Sequence, residues 1–426
     1  MKQIAKIFQS QTIRDSFIVF LGLGVTAVLG FIYTIIMART LTPELFGVFS
    51  GLVSLVAITY SLGDLGLGPA IINFLPKHKN FKSRIIETGY WFEYLVGFII
   101  FLAFWLLANF SHTLIPGSLP EHFILVGSLA FNYILVTYAQ AVFTAKREFF
   151  RLSLSQIIDA VLKIIFVLLF YNLGELSFST ALLANFISVI FSLVLTFWSE
   201  LWNIKTQVDK TIFSHLFEFS KWIAVSRFFS VLISRVDILL LNLLASNFQA
   251  GIYAAASRVA LIFALIISSL GSVINPRFSH FQSKKEVITY MKKLSLLITF
   301  VSLFVLITIY FSDKIILFVF GLSYLSASNV YQLLALSMIP FLFSVITTGT
   351  LLYTFNQSKF YAQITALQVA LIILINLLYI PKIGVYAPVL ASAVANLLFL
   401  LLSLSKLQKL FKTHDLAKKV VFKDTP

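Results

Sequence analysis

The sequence contains no cysteine and few charged residues, and each shortage excludes a class of protein. Because none of the 426 residues is cysteine, the chain cannot form disulfides, thiolate metal sites or cysteine nucleophiles. Only 12% of the residues are charged and 59% are hydrophobic, whereas a soluble globular chain carries about 25% charged residues. A soluble core could not bury so much apolar surface, so the lipid bilayer must be the solvent for most of the chain.

Apolar segments long enough to cross a bilayer recur along the whole chain. A helix needs about 20 residues to cross the hydrocarbon core. The hydropathy pattern predicts spans at residues 16–38, 45–74, 89–108, 122–145, 154–172, 178–198, 219–244, 248–275, 294–311, 328–354, 360–380 and 386–404. The first is too long for the apolar part of a cleavable signal peptide. We therefore predict an all-α polytopic membrane protein with about 12 transmembrane helices.

The 32 lysine and arginine residues fall mainly on one side of this alternating series. Twenty-five lie in termini and loops on that side, and four lie inside the predicted spans. Only Arg39, Lys314 and Lys382 lie on the other side. Because cytoplasmic loops retain positive charge, we predict a multi-pass protein of the cytoplasmic membrane with both termini in the cytoplasm. The net charge of +15 then favours anionic membrane lipids as partners, and not nucleic acid.

The longest connection, at residues 199–218, divides the predicted spans into six and six. We predict an N-terminal six-helix lobe at residues 1–205 and a C-terminal six-helix lobe with a basic cytoplasmic tail at residues 206–426. A weak repeat supports this division, since Phe46-Gly47-Val48-Phe49-Ser50 is matched by Ala250-Gly251-Ile252-Tyr253-Ala254 at an offset of 204 residues. Transporters built from such parallel repeats bind substrate between their halves, which predicts two lobes around a central cavity.

Charged residues inside the predicted spans are candidates for function. An ionised side chain at the bilayer centre costs at least ~2.5–3.5 kcal/mol, so it usually faces a cavity or a partner. The clearest candidates are Asp64, Glu93, Asp159, Lys163, Arg227, Arg235, Asp237 and Arg258. Asp159 and Lys163 are spaced i, i+4 and can pair on one helix face. This pair either takes part in function or only permits insertion of its helix.

Arginine is concentrated in the seventh and eighth predicted spans. Arg227, Arg235 and Arg258 face one nearby carboxylate, Asp237, in these segments. A dry interior could not hold this excess of positive charge, so we predict a water-filled cavity. Guanidinium groups grip phosphate through paired donors, which favours a phosphorylated substrate. The alternative is that Arg227 and Arg258 extend to a membrane interface.

Asp64 lies in a segment that is rich in helix-breaking residues. Three glycines and a proline loosen the second predicted span in the sequence Gly63-Asp64-Leu65-Gly66-Leu67-Gly68-Pro69. Such breaks free backbone carbonyls, which can join a carboxylate in binding Na⁺ or H⁺. The glycines can equally serve as a hinge or a close helix contact. The candidates for ion coupling are Asp64, Asp237 and Asp159.

A polar stripe on the fourth predicted span contains Tyr133, Thr137 and Gln140. Hydroxyl and amide groups suit the hydroxyls of a sugar, so these residues are candidates for sugar contact. Residues of this kind more often bond to neighbouring helices.

Enzyme chemistry has little support in the sequence. All six histidines fall in loops or near the ends of spans, without the spacing of metal ligands. There is no Walker lysine loop, and no long external loop carries paired acidic residues. We therefore expect no catalytic residues, no metal site and no cofactor, with H⁺ or Na⁺ as a possible coupling ion.

Five short segments carry a family resemblance through their order and spacing. They are residues 37–47, 63–67, 235–240, 251–258 and 320–324. Together they resemble the polysaccharide-biosynthesis flippases of the multidrug/oligosaccharidyl-lipid/polysaccharide exporter superfamily. The resemblance implies a twelve-helix, two-lobe transporter that moves polyprenyl-pyrophosphate-linked oligosaccharides to the outer leaflet, for O-antigen, capsule or exopolysaccharide assembly.

The resemblance also implies site residues and partners. Basic residues in the central cavity would meet the pyrophosphate. Arg235 and Arg258 match best by position, with Arg39 and Lys163 behind them, and Arg227 is a further candidate. Partners would be the lipid-linked oligosaccharide and, beyond it, glycosyltransferases and a polysaccharide polymerase.

Three other functions are weighed against this one. A multidrug cation exporter of the same superfamily predicts an acidic cavity, and the internal arginines argue against it. A membrane polymerase or ligase needs a sizeable external loop with catalytic groups, which the sequence lacks. A non-transporting scaffold that recruits glycosyltransferases would leave the buried charges unexplained.

Overall fold

The computed structural model describes residues 11–201, 208–278, 281 and 283–413. These residues form 15 α-helices and no strands, which confirms the predicted all-α class. The helices are α1 (Gln11–Thr40), α2 (Pro43–Gly63), α3 (Leu67–Phe74), α4 (Lys82–Leu106), α5 (Ser111–Leu114), α6 (Pro120–Lys146), α7 (Phe149–Asn172), α8 (Phe178–Leu201), α9 (Lys210–Leu244), α10 (Asn247–Phe278), α11 (Lys284–Tyr310), α12 (Ser312–Phe320), α13 (Ala327–Gly349), α14 (Ser358–Ile383) and α15 (Tyr386–Thr413).

Eleven helices in the described part of the chain are long and apolar enough to cross a membrane. They account for every predicted span except the seventh, at residues 219–244, which lies within α9. α9 has 35 residues, but polar side chains such as Arg227, Ser230 and Arg235 lower its hydropathy. The prediction of about 12 transmembrane helices therefore holds, with α9 as the polar exception.

The second predicted span, at residues 45–74, is two helices. α2 begins after Thr42, whose side chain accepts a hydrogen bond from the N–H of Leu45, and Pro43 occupies the first turn. The helix ends at Gly63 because Leu65 and Gly66 have φ angles of 42° and 69°, in the left-handed region. The chain then resumes as α3, so the predicted break in this span is confirmed.

The chain divides into two compact units, Met1–Gly251 and Ile252–Pro426. In the first unit, α6 is the central helix, since it packs against α2, α3, α4 and α8. α1 packs on α7, and α9 packs on α2 and α3. In the second unit, α15 packs on α13 and α14, and α13 also packs on α11.

The predicted lobe boundary, between residues 205 and 206, lies outside the described residues. So do Lys418, Lys419 and Lys423 of the predicted basic tail. The first unit contains α9 in addition to the six spans predicted for the N-terminal lobe. The division into six and six helices stays a prediction.

α9 runs antiparallel to α2 and α3, and contacts along the pair define the register. At the break, a Cβ atom added to Gly66 would lie 2.7 Å from the carbonyl oxygen of Ser220. Towards the start of α2, a Cβ on Gly51 would lie 2.5 Å from the side-chain nitrogen of Asn242. Small residues therefore bring the two helices close at both ends of their contact.

The start of α2 contacts the start of α10 through two glycines. A Cβ atom on Gly47 would overlap the carbonyl oxygen of Asn247, and one on Gly251 would overlap that of Pro43. These are the glycines of the sequence repeat, so the two copies of the repeat touch each other. The backbones can approach this closely only because both positions lack a side chain.

Candidate functional site

The carboxylate of Asp64 pairs with Arg227 from α9. Nη1 of Arg227 donates to Oδ2 of Asp64 over 2.6 Å. The Asp64 side chain is only 7% exposed, whereas that of Arg227 is 49% exposed. This corrects the predicted excess of arginine charge, because a carboxylate 163 residues away in the sequence balances Arg227. Spacing within one helix could not reveal that partner.

The break between α2 and α3 determines the position of Asp64. The residue directly follows α2, and its side chain accepts a hydrogen bond from the backbone N–H of Gly68, in the first turn of α3. Aligned peptide dipoles favour negative charge at the start of a helix. The carboxylate of Asp64 is therefore held from two sides, by the start of α3 and by Arg227.

A second ion pair lies on α7. Nζ of Lys163 donates to Oδ2 of Asp159 over 2.5 Å, and each side chain is 17% exposed. The predicted i, i+4 pair is thereby confirmed. The same ammonium group lies 5.2 Å from the centre of the Tyr133 ring on α6 and forms a hydrogen bond with the Tyr133 side chain. Oδ1 of Asp159 is buried without a hydrogen-bond partner among the described residues.

Side chains from three further helices surround this pair. On α1, the hydroxyl of Tyr33 accepts a hydrogen bond of 2.8 Å from Nδ2 of Asn185, and Tyr33 interacts electrostatically with the pair on α7. The ring of Tyr60 on α2 lies 5.5 Å from the ring of Tyr133. We call this group the Lys163 cluster: Tyr33, Tyr60, Tyr133, Asp159, Lys163 and Asn185.

Arg235 connects α9 to the Lys163 cluster. It is half-buried and interacts electrostatically with Tyr60. On α9, Arg227 and Arg235 are about 12 Å apart along the helix axis, at 1.5 Å per residue. Three of the five cations predicted to meet pyrophosphate thus interact with side chains of α2 or α6: Arg227 with Asp64, Arg235 with Tyr60, and Lys163 with Tyr133. All of these residues lie in the first unit.

The remaining charged candidates occupy other places. Arg39 is exposed in the last turn of α1. Arg258 is half-buried on α10, in the part of that helix that belongs to the second unit. Asp237 is buried on α9, at 8% exposure. The predicted roles of these three residues stay predictions.

The side chains of the polar stripe on α6 have hydrogen-bond partners within the protein. Oγ1 of Thr137 donates to the carbonyl oxygen of Ile134, in the same helix, over 2.9 Å. Nε2 of Gln140 donates to Oγ of Ser155 on α7 over 3.4 Å. Tyr133 belongs to the Lys163 cluster. A role of this stripe in sugar contact stays a prediction.

Glu93 is the group to which the sequence assigned no role. It lies on α4, is 0% exposed, and neither carboxyl oxygen has a hydrogen-bond partner in the described chain. A signal was present in the sequence: Gly89, Glu93 and Gly97 share one helix face at i, i+4 and i+8. A carboxyl between two small residues at this spacing indicates a helix contact that encloses it.

Metal-binding geometry is absent from the part of the chain that the structure describes. No group of three or more histidine, aspartate or glutamate side chains in it could hold a metal ion. His122 caps the start of α6, where its Nδ1 accepts a hydrogen bond from the N–H of Leu119. His280 and His414 lie outside the described residues.

Comparisons with known proteins relate this architecture to transporters. A family model described as "Polysaccharide biosynthesis protein" matches residues 36–329. Among solved structures, the chain is similar to the lipid II flippase MurJ in an inward closed conformation, with a TM-score of 0.74 and 16% identity over 94% of this chain and 90% of that one. A comparison with curated protein sequences finds no match.

Two MATE transporters are also similar. One, from Vibrio cholerae, has a TM-score of 0.62 and 14% identity over 95% of this chain and 97% of that one. The other is an inward-facing multidrug resistance transporter of the MOP superfamily, with a TM-score of 0.69 and 12% identity over 93% of this chain and 99% of that one. At these identities the likeness shows a shared two-lobe, all-helical fold.

Proposed function

The chain belongs to the family of polysaccharide biosynthesis proteins, and from this premise we propose that it is a flippase for a polyprenyl-pyrophosphate-linked oligosaccharide. It would carry the sugar-bearing headgroup from the cytoplasmic to the outer leaflet of the cytoplasmic membrane, for cell-surface polysaccharide synthesis such as O-antigen or capsule. The isoprenoid tail would stay in the bilayer. Ion coupling would drive the movement, and no chemical bond would be made or broken.

One observation carries the proposal: three cations, Arg227 and Arg235 on α9 and Lys163 on α7, interact with residues of the membrane-spanning candidates α2, α6 and α7. Moving a diphosphate through hydrocarbon is prohibitively unfavourable unless its charge is compensated. Arg235 is half-buried on α9 and interacts electrostatically with Tyr60 of α2, and α2 is long and apolar enough to cross a membrane. Guanidinium and ammonium groups beside such a helix would replace part of the water that solvates the headgroup.

The distribution of basic residues supports the proposed orientation. Twenty-five of the 32 lysine and arginine residues lie on one side of the spans, which by the positive-inside rule is the cytoplasm. Both termini would lie there. The functional partners would be glycosyltransferases and a polysaccharide polymerase. The lipid-linked oligosaccharide would be the product of the glycosyltransferases and the substrate of the polymerase.

The test is transport by the purified protein in liposomes. We expect a lipid-linked oligosaccharide in the inner leaflet to become accessible to a membrane-impermeant glycosidase added outside. Arg235→Ala should slow this by roughly 10- to 100-fold, the loss of one charge-assisted contact, and Arg258→Ala should also impair it. Arg235→Lys should be intermediate, because lysine keeps the charge but loses the paired donors.

Arg84→Ala is the matched control for this experiment. Arg84 is an exposed arginine near the start of α4, and its removal should leave transport unchanged. Normal transport by folded Arg235→Ala and Arg258→Ala variants would reject the proposed pyrophosphate site.

The similarity to MATE transporters gives a second candidate, a multidrug cation exporter. The same liposomes loaded with an organic cation separate the two functions. Efflux of the cation, without movement of the lipid-linked oligosaccharide, would favour the exporter. Absence of both activities in folded protein would favour a non-transporting scaffold.

A further inference from the structure

α4 carries a buried carboxyl group, that of Glu93, which has no part in the substrate contacts proposed above. Gly89, Glu93 and Gly97 form one face of α4, which packs against α6. A Cβ atom on Gly89 would lie 2.7 Å from the hydroxyl oxygen of Tyr138, and one on Gly97 would overlap the ring of Phe131. The two helices therefore touch on both sides of Glu93, which explains why its side chain is fully buried.

No basic side chain among the described residues forms a hydrogen bond with Glu93. The groups that act on it electrostatically are Asp64, at the end of α2, and Tyr138, on α6. The hydroxyl of Tyr138 donates to the carbonyl oxygen of Ile86 over 2.6 Å, so this donor is already engaged. The guanidinium of Arg227, on α9, donates to Asp64 and not to Glu93. On α4 itself, Tyr90 packs its ring 6.4 Å from that of Tyr138.

Charge balance determines what this group of residues can hold. One cation, Arg227, neutralises one carboxylate, Asp64. An ionised Glu93 would then be a buried negative charge without a partner, which is strongly unfavourable, so Glu93 must be neutral. Hard metal cations are held by several oxygen ligands at once, about six to eight for Ca²⁺, whereas neither oxygen of Glu93 has a hydrogen-bond partner among the described residues. The ligand that fits is a proton.

We propose that Asp64 and Glu93 form a proton site whose occupancy depends on Arg227. While Arg227 pairs with Asp64, the two carboxyls hold one proton, on Glu93. Arg227 is half-exposed and can instead pair with the diphosphate of a substrate, which leaves Asp64 buried without its cation. The pair then takes up a second proton. This deepens the proposed function and rests on it, because it links binding of the diphosphate to protonation of the two carboxyls through Arg227.

The first experiment needs no substrate. In infrared spectra of the purified protein at neutral pH, we expect a C=O stretching band of a protonated carboxyl group that disappears in Glu93→Gln. Glu87→Gln is the matched control: Glu87 lies on the same helix and is equally buried, but it accepts a hydrogen bond of 2.6 Å from Ser83. A spectrum in which Glu93→Gln removes no such band overturns the proposal.

A second measurement tests for the proton on Glu93 in the wild-type protein, so it does not depend on the folding of Glu93→Gln. A hydrophobic carbodiimide reacts with protonated carboxyl groups in apolar surroundings. In the wild-type protein at neutral pH, we expect mass spectrometry to find Glu93 modified and Glu87 unmodified. Modification of neither residue, or of Glu87 alone, contradicts a proton on Glu93.

The second experiment tests the exchange through Arg227. When a polyprenyl diphosphate is added to the protein in weakly buffered detergent, the protein should take up about one proton per molecule bound. A pH indicator detects this uptake. Asp64→Asn should bind without uptake. Binding without proton uptake in the wild type overturns the exchange. If no diphosphate binds, the proposed function fails, whereas the infrared result still decides whether Glu93 holds a proton.

Discussion

The two ends of α2 contact neighbouring helices in different ways. At its start, Gly47 contacts the first turn of α10 backbone to backbone, and the reciprocal glycine, Gly251, does the same towards Pro43. At its end, the helix breaks and presents a carboxylate to Arg227. The first end is held by the absence of side chains, and the second by a pair of charges.

This difference separates a fixed contact from an exchangeable one. The backbones at Gly47 and Gly251 are in van der Waals contact, so there is no room for an added atom between them. A guanidinium that is 49% exposed can exchange one anion for another with little rearrangement. We therefore expect mutations at the start of α2 to act on stability, and mutations at its end to act on both stability and substrate.

Gly47→Ala should produce the largest loss of stability. The added Cβ would overlap the carbonyl oxygen of Asn247, and neither backbone can yield without displacing its helix. Although alanine favours a helix by up to about 1 kcal/mol, the overlap should outweigh this and lower the free energy of unfolding by about 3 kcal/mol. Thermal unfolding of purified protein in detergent measures the change.

Gly24→Ala and Gly30→Ala, both in α1, are the matched controls. An added Cβ meets nothing within 4 Å at either position, so both variants should be at least as stable as the wild type and gain up to about 1 kcal/mol from the helix preference of alanine. A Gly47→Ala protein as stable as these controls would show that α2 and α10 are not in contact through their glycines.

Removing the charges at the other end should have an intermediate and asymmetric effect. Arg227→Ala leaves the buried carboxylate of Asp64 without its guanidinium and should cost about 2 kcal/mol. Asp64→Asn leaves a guanidinium that is half in solvent and should cost less. The double variant should be more stable than additivity predicts, because neither charge is then left alone.

A double-mutant cycle on unfolding free energies measures this coupling. The pair on α7 provides a comparison, since Lys163 and Asp159 are equally buried and their single variants should be similarly destabilising. Strict additivity for Arg227 and Asp64 would show that the pair contributes nothing to stability.

The pattern of spans and the position of the break were predictable, because both depend on local composition. A run of about 20 apolar residues is long enough to cross a membrane. The glycines and the proline between Gly63 and Pro69 predict a break in one such run. The pair of Asp159 and Lys163 was also predictable, since an i, i+4 spacing within one helix fixes the distance between the side chains.

Contacts between helices that lie far apart in the sequence could not be predicted from it. The partner of Arg227 lies 163 residues earlier, and helix packing alone brings Asp64 to it. The same holds for Glu93: hydropathy places it in a span, but only the packing of α4 on α6 shows that both carboxyl oxygens lack a partner. The glycine repeat was visible, whereas the contact between its two copies was not.

The glycines of the break provide the finest test, because two of them look alike in sequence and differ in structure. Gly66 has a φ of 69°, and its Cβ would lie 2.7 Å from the carbonyl oxygen of Ser220. A Cβ on Gly68 would meet Ala141, at 3.4 Å, and the Arg227 and Asp64 side chains, each at 3.8 Å, all at ordinary van der Waals distances. Gly66→Ala should therefore lower the free energy of unfolding by about 1–2 kcal/mol, whereas Gly68→Ala should change it by no more than about 0.5 kcal/mol. Equal effects in thermal unfolding would mean that the turn between α2 and α3 does not depend on the left-handed backbone at Gly66.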